Sequence, residues 1–246
     1  MMVKGSASTL RQLFVVGWLM AFVTGLLFVG LGEWALAGGT QAIDRLGFAV
    51  VRGPASQTLT DVMFTLTRLA DTGAMLLLVA ISLAWLLWVR RRDLARFAMA
   101  GITGAFALEW GLKLVFARPR PDPADALVLV GGFSFPSGHG LRSVALAGLA
   151  MVVTWHLSRS AVVRTSALLV GTAYVLGVAT SRVYLGAHYP SDVVGSLLAG
   201  ICWMLVCLAG SSTIAHWRAI RRSGVTRDHP PDLAALRRFP DHNAGN

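Results

Sequence analysis

The sequence predicts an all-α, polytopic membrane protein with six transmembrane helices, and three observations predict it. Of its 246 residues, 55% are hydrophobic and only 14% charged, against about 25% charged in a soluble domain. Six apolar stretches stand out, at residues 13–36, 72–89, 94–116, 141–157, 165–181 and 193–215. Each is close to the roughly 17–25 residues that cross a bilayer as a helix. The third observation is where the basic residues fall between these stretches.

Taken in order, Lys4 and Arg11 precede the first span. That span is too long for a signal-peptide core, and no convincing cleavage site follows, so it reads as a retained helix. Residues 37–71 form a long loop in which Asp44, Arg45, Arg52, Asp61, Arg68 and Asp71 cancel in charge. Its stretch 57–69 suits a short amphipathic helix lying at the interface. Arg90, Arg91, Arg92 and Arg96 flank the second and third spans, and Arg159 and Arg164 separate the fourth from the fifth. The third span carries Glu109 and Lys113, and the fourth begins with Arg142. Cys202 and Cys207 in the sixth read as small core residues rather than metal ligands or a disulfide. Residues 1–217 thus read as one membrane domain without an internal repeat. Residues 218–246, with Pro230-Pro231 and many polar side chains, read as a basic, disordered cytoplasmic tail.

A net charge of +10 invites a nucleic-acid reading, but its placement argues for topology instead. With six spans, Lys4, Arg11, Arg90, Arg91, Arg92, Arg96, Arg159 and Arg164 share one side with Arg218, Arg221 and Arg222, which the positive-inside rule makes cytoplasmic, together with both termini. The chain reads as a multi-pass protein of a cell (inner) membrane, its basic face against anionic lipid heads and with no nucleic-acid partner. The loop between the third and fourth spans breaks this pattern. Lys113, Arg118, Arg120 and Arg142 cluster on the outer side, and a bound anion is the simplest compensation for their cost there.

Three clusters at the ends of apolar segments supply the chemistry. Pro119 and Pro121 stop the third helix, so that Lys113 and Arg120 converge from a helix end and a turn. Arginine offers phosphate a bidentate fork and lysine a point charge. The competing reading is snorkelling interface cations, which suits Arg118 and is one of two readings of Arg142, the other being a further cation for a pyrophosphate. Pro136-Ser137-Gly138-His139 enters the fourth span, where helix N–H groups and the positive dipole end face an anion. Its plain alternative is a serine N-cap with an incidental histidine. Ser181-Arg182 ends the fifth span, and His188 precedes Asp192 by four residues at the start of the sixth. A carboxylate that accepts from Nδ1 leaves Nε2 free as a nucleophile; otherwise Asp192 is simply a helix-start carboxylate favoured by the macrodipole. Several cations, a nucleophile and a proton donor are what phosphoryl transfer requires.

In their order, Lys113-x6-Arg120-Pro121, Pro136-Ser137-Gly138-His139 and Ser181-Arg182-x5-His188-x3-Asp192 resemble the motifs of the type 2 phosphatidic acid phosphatase (PAP2) superfamily. The resemblance spans residues 94–215 and the six-span layout. It implies a PAP2/haloperoxidase-like helical core and a metal-independent phosphatase without cofactor. In such an enzyme His188 forms a phosphohistidine, Asp192 orients it, and His139 serves as acid and then base. Lys113, Arg120, Ser137, Gly138 and Arg182 form the phosphate cradle. The implied partner is a membrane lipid phosphate: undecaprenyl diphosphate first, phosphatidylglycerophosphate or phosphatidic acid next, with lipid A phosphatases and transferases as alternatives. A vanadate-dependent haloperoxidase is disfavoured by the six spans, and a catalytically silent lipid-binding protein by the intact motifs.

Overall fold

The computed structural model describes residues 7–53, 55–122 and 126–225, with side chains described from residue 14 to residue 213 of the terminal helices. These residues form eight α-helices and no strand: α1 (Ala7–Leu36), α2 (Gln41–Arg52), α3 (Gln57–Arg68), α4 (Thr72–Trp88), α5 (Arg92–Phe116), α6 (Gly138–Leu157), α7 (Ala161–Tyr184) and α8 (Pro190–Val225). The described residues up to Ala209 pack as one unit, and those from Gly210 onward belong to a second. In that second unit the helix continues to Val225, past the expected domain end at 217. The expected disordered tail from 226 onward lies outside the described residues.

Five helices are long and apolar enough to cross a membrane: α1 from Phe14, α5, α6, α7, and α8 as far as Thr213. The expected second span corresponds to α4, which has 17 residues and completes a sixth crossing only together with α3, from which it is bent by 50°. Outward-facing apolar side chains match a lipid solvent. Phe22 on α1 and Val170 on α7 are 64% and 69% exposed, positions where burial is unnecessary because lipid is as apolar as leucine.

The loop expected over 37–71 is in fact two helices. The interfacial helix expected at 57–69 is α3 (Gln57–Arg68), capped by the Ser56 hydroxyl, which accepts from Leu59 N–H. It packs on α7: the Thr60 and Tyr184 hydroxyls are hydrogen-bonded at 2.7 Å, and Gly177 faces Leu66. α2 lies beside it, with Phe48 and Val51 against the buried Ala179, Val183 and Val193. Arg52 donates from Nε to the Tyr184 carbonyl. Of the charges in this loop, Asp44, Arg52 and Asp71 each meet a specific distant partner.

Two devices bring α6 and α8, the carriers of both histidine motifs, into register. An aromatic trio joins the end of α1, the end of α5 and the chain entering α6: Phe28, Phe116 and Phe135, with ring centroids 4.9–5.4 Å apart. Small residues then allow the helices to approach. A Cβ on Gly200 of α8 would lie 2.7 Å from Val144 Cβ and 3.1 Å from the Leu141 carbonyl oxygen of α6. Close approach through small residues is how helices associate in lipid, where no hydrophobic drive exists between them. Gly200→Val is therefore expected to wedge α6 from α8, costing about 1–3 kcal/mol. A thermal melt of the detergent-solubilised protein checks this, alongside activity. An unchanged melting temperature would show that the contact tolerates a side chain.

Candidate active site

The chain leaving α5 turns sharply. Ala117 closes the helix in the left-handed region, φ 44°, and delivers Arg118 inward. Arg118 is not a snorkelling cation: it is 7% exposed and lies between two carboxylates. Its Nη1 reaches Asp192 Oδ1 and Ser191 Oγ, and its Nη2 reaches Asp44 Oδ2 at 2.9 Å. Tyr189 stacks on the guanidinium, 4.3 Å from the ring centroid. Asp44, from α2, also accepts from the Ser191 backbone N–H and hydroxyl and from Thr40, so it caps the start of α8. Thr40, Asp44 and Ser191 were not legible as site residues, because their pairing spans more than 140 positions.

His188 is 2% exposed, in the turn where Gly186 takes φ 73° between α7 and α8. Its Nδ1 lies 2.8 Å from the Ser134 carbonyl oxygen. A carbonyl only accepts, so Nδ1 carries the proton and Nε2 keeps its lone pair. Nε2 is 3.3 Å from Arg120 Nη1, which can only donate, and the tautomer is consistent from both sides. Asp192 Oδ2 stands at 3.6 Å from Nδ1 and accepts from Tyr189 N–H at 2.9 Å. The carboxylate expected to orient His188 thus lies beside it while closing the first turn of α8; the direct acceptor is Ser134. Both readings of Asp192 from the sequence hold part of the geometry. Burial lowers the His188 pKa to about 4, with Arg182 and Arg120 acting the same way against Asp192, so the ring is neutral near pH 7.

Arg120 is fixed by carbonyl groups. It donates to Gly131, Gly132 and Ala187, which explains the glycine pair upstream of the second motif. Arg182, 3% exposed, donates from Nη1 to Thr67 Oγ1 of α3 at 2.7 Å, while its Nε has no partner. Ser137 is the N-cap residue of α6 but makes no capping bond. Its N–H goes to the Asp192 carbonyl, and its buried Oγ has no partner either. These are the two orphaned buried side-chain polar atoms among the described residues, and both belong to the expected phosphate cradle. A Cβ on Gly138 would meet the Glu109 carboxylate, so a larger residue there displaces that side chain.

Glu109 joins two cations from different helices. Its Oε1 accepts from Lys113 Nζ at 2.9 Å, the i, i+4 pair along α5. Its Oε2 is 3.2 Å from Nε of Arg142 on α6. Arg142 is buried over the Phe106 ring and also donates to Thr72 Oγ1 and the Gly138 carbonyl; it does not snorkel. His139 stands at the same helix end, with Nε2 3.1 Å from Asp71 Oδ1. The structure therefore gathers Lys113, Arg120, Ser137, Gly138, His139, Arg182, His188 and Asp192 at one end of the helices, with Arg118, Ser134, Asp44 and Asp71 added. No group of three or more His, Cys, Asp or Glu side chains suited to a metal ion occurs among the described residues.

Comparison with known proteins agrees with this architecture. The sequence pattern of the PAP2 superfamily matches residues 94–214. A putative undecaprenyl-diphosphatase, YbjG, of Escherichia coli (strain K12) is 34% identical over 139 residues, covering 54% of this chain and 63% of that protein. The undecaprenyl-diphosphatase BcrC of Bacillus subtilis (strain 168) is 30% identical over 159 residues, covering 59% of this chain and 72% of that protein. The crystal structure of a transmembrane PAP2 type phosphatidylglycerolphosphate phosphatase from Bacillus subtilis superposes with a TM-score of 0.72 at 24% identity, over 79% of this chain and 96% of that one, which establishes a shared fold. On its helical core, its three motifs in order and these relatives, the chain belongs to the PAP2 superfamily.

Proposed function

We propose that this chain, a membrane phosphatase of the PAP2 type, hydrolyses a lipid diphosphate through a covalent phosphohistidine, with undecaprenyl diphosphate as substrate. One observation carries the oxyanion reading: the unpartnered Ser137 Oγ and Arg182 Nε, which an incoming phosphate oxygen satisfies. Arg182 also stands within electrostatic reach of Arg120 and Arg142, and an anion relieves the repulsion among the three. The choice of undecaprenyl diphosphate rests on the two relatives so named.

His188 Nε2 attacks the terminal phosphorus, and the P–O bond to the lipid phosphate breaks. His139 gives its proton to the leaving oxygen. His139 then takes a proton from water, whose oxygen attacks phosphorus as the P–N bond breaks, and inorganic phosphate leaves. Arg120, Arg182, Lys113, Ser137 and the N-terminus of α6 balance the charge on the transferred group, as cations and backbone amides do in other phosphoryl transfers. The basic residues at the opposite helix ends, Arg90, Arg91 and Arg92 among them, favour an active site on the outer, periplasmic or extracellular side with both termini in the cytoplasm.

His188→Ala is expected to abolish phosphate release from a panel of undecaprenyl diphosphate, phosphatidylglycerophosphate and phosphatidic acid, and rapid quench of the parent enzyme should trap an acid-labile phosphoenzyme. Because His188 stays neutral down to about pH 4, the acid limb of kcat/KM assigned to the nucleophile falls near pH 4 rather than near the usual histidine value. Turnover proceeds in EDTA. Full activity of His188→Ala, or turnover restored only by added Mg²⁺ or Zn²⁺, would refute the mechanism.

Glu109→Gln is expected to lower activity modestly and Lys113→Ala severely. The double variant matches Lys113→Ala alone in turnover, because both changes act on the position of one ammonium group. Glu109→Gln also lowers the melting temperature, since Arg142 loses a charge-assisted partner worth about 1.5–3 kcal/mol. Additive losses in turnover would mean that Glu109 acts apart from Lys113.

Leu129, 84% exposed in the chain between α5 and α6, reports sidedness. As Leu129→Cys in a background lacking Cys202 and Cys207, it should react with a membrane-impermeant thiol reagent in intact cells. Reaction only after the membrane is broken would reverse the topology.

A further inference from the structure

We infer that Asp71 is the positioning partner of His139, so that the general acid–base of this site is a His139–Asp71 dyad delivered by the bend between α3 and α4. The inference rests on the acid–base role proposed for His139 and adds a residue outside the three motifs.

Asp71 is the N-cap residue of α4, a slot in which an aspartate ordinarily accepts from the helix's own N–H groups. Here it makes no side-chain capping bond; its Oδ1 instead meets His139 Nε2 at 3.1 Å. The bend that carries it is held from two sides. Arg182 of α7 donates to Thr67 just before the bend, and Arg142 of α6 donates to Thr72 just after it. Ala70, between them, is fully buried. The carboxylate is thus aimed at the ring by the same two arginines that border the anion site.

The chemistry requires such a partner. An acid that protonates the leaving oxygen must hold a proton beside the cations that bind the phosphate. The charged groups acting on His139 are Arg182 from α7, Arg142 from its own helix, and Asp71. Two cations repel an imidazolium and one carboxylate attracts it. With Nε2 committed to Asp71, the proton transferred in this reading is the one on Nδ1. When His139 gives up its Nδ1 proton, the Nε2 proton stays on the bond to Asp71, and the ring is left in the tautomer that can take a proton from water at Nδ1. Orienting the second nitrogen of a working histidine by a carboxylate is a general device.

The test uses the full-length protein in detergent, with a short-chain isoprenyl diphosphate as probe and phosphate release as readout over a range of pH. Asp71→Asn keeps the shape and removes the charge. It is expected to lower kcat roughly 10- to 100-fold with little change in KM, and to move the alkaline limb of the kcat profile down by about one pH unit. Asp71→Glu restores part of the rate and the limb. His139→Ala combined with Asp71→Asn is no slower than His139→Ala alone. A wild-type profile in Asp71→Asn, or independent losses in the double variant, would overturn the dyad while leaving the role of His139 standing. Full activity in His139→Ala would instead overturn the acid–base role on which the dyad rests. Should Asp71→Asn melt below the assay temperature, Asp71→Ser, which keeps a favourable helix N-cap without the charge, is read instead: an alkaline limb at the wild-type pH in that variant rejects the dyad.

Discussion

The site depends on one buried guanidinium. Arg118 sits between Asp44 and Asp192, almost out of contact with solvent, and removing charges from water in this way is costly unless every polar atom finds a partner. Here the partners are present. Asp44 is satisfied by Ser191 and Thr40 as well as by Arg118, and Asp192 by the Tyr189 N–H. The consequence is mechanical. α2, the chain leaving α5 and the first turn of α8 are locked to a single charge cluster, and His188 lies two residues before that turn. Without Arg118, two carboxylates would face each other across a low-dielectric interior, and the start of α8 would have no fixed position.

From that anchor the cradle is built outward by backbone carbonyls rather than by further charges. Arg120 is held by Gly131, Gly132 and Ala187, neutral acceptors that fix its direction without cancelling its charge. Arg182 is held by the Thr67 hydroxyl in the same way. Lys113 is the exception, because Glu109 neutralises it at 2.9 Å. The result is an excess of positive charge with its donors already oriented, the preorganisation that lets a site stabilise developing charge without reorganising during the reaction.

Much of this was legible in the sequence, for a physical reason. Spans must be apolar over a fixed length, so α1, α5, α6, α7 and α8 are read from composition alone. The three motifs sit at helix ends, where a proline stop, a Ser-Gly entry and an i, i+4 His–Asp pair have local geometry. What could not be read were partners brought together from distant positions: Arg118 with Asp44, Arg182 with Thr67, His188 with Ser134. The loop between the first two expected spans was summed as neutral, and the sum hid that Asp44 and Asp71 each face one specific cation or ring. A local hint did exist, since Thr40 and Asp44 stand one helical turn apart and Asp71 occupies a helix start. Span length misled in one place. α4 is short because the chain bends at Leu69–Asp71 instead of continuing straight, and that bend serves the site.

In the proposed mechanism the two histidines take different roles under the influence of shared cations, Arg182 among them. His188 presents Nδ1 to a carbonyl, an acceptor that fixes the tautomer but adds no charge, while burial and the neighbouring arginines keep the ring neutral. A neutral ring with a free Nε2 is a nucleophile. His139 presents Nε2 to a carboxylate, which attracts a proton to the ring against burial and the repulsion of Arg182 and Arg142. On the proposed roles, a neutral acceptor goes with the nucleophile and a charged one with the acid, and the acceptors come from segments the motifs do not contain: the chain before α6 for one and the α3–α4 bend for the other.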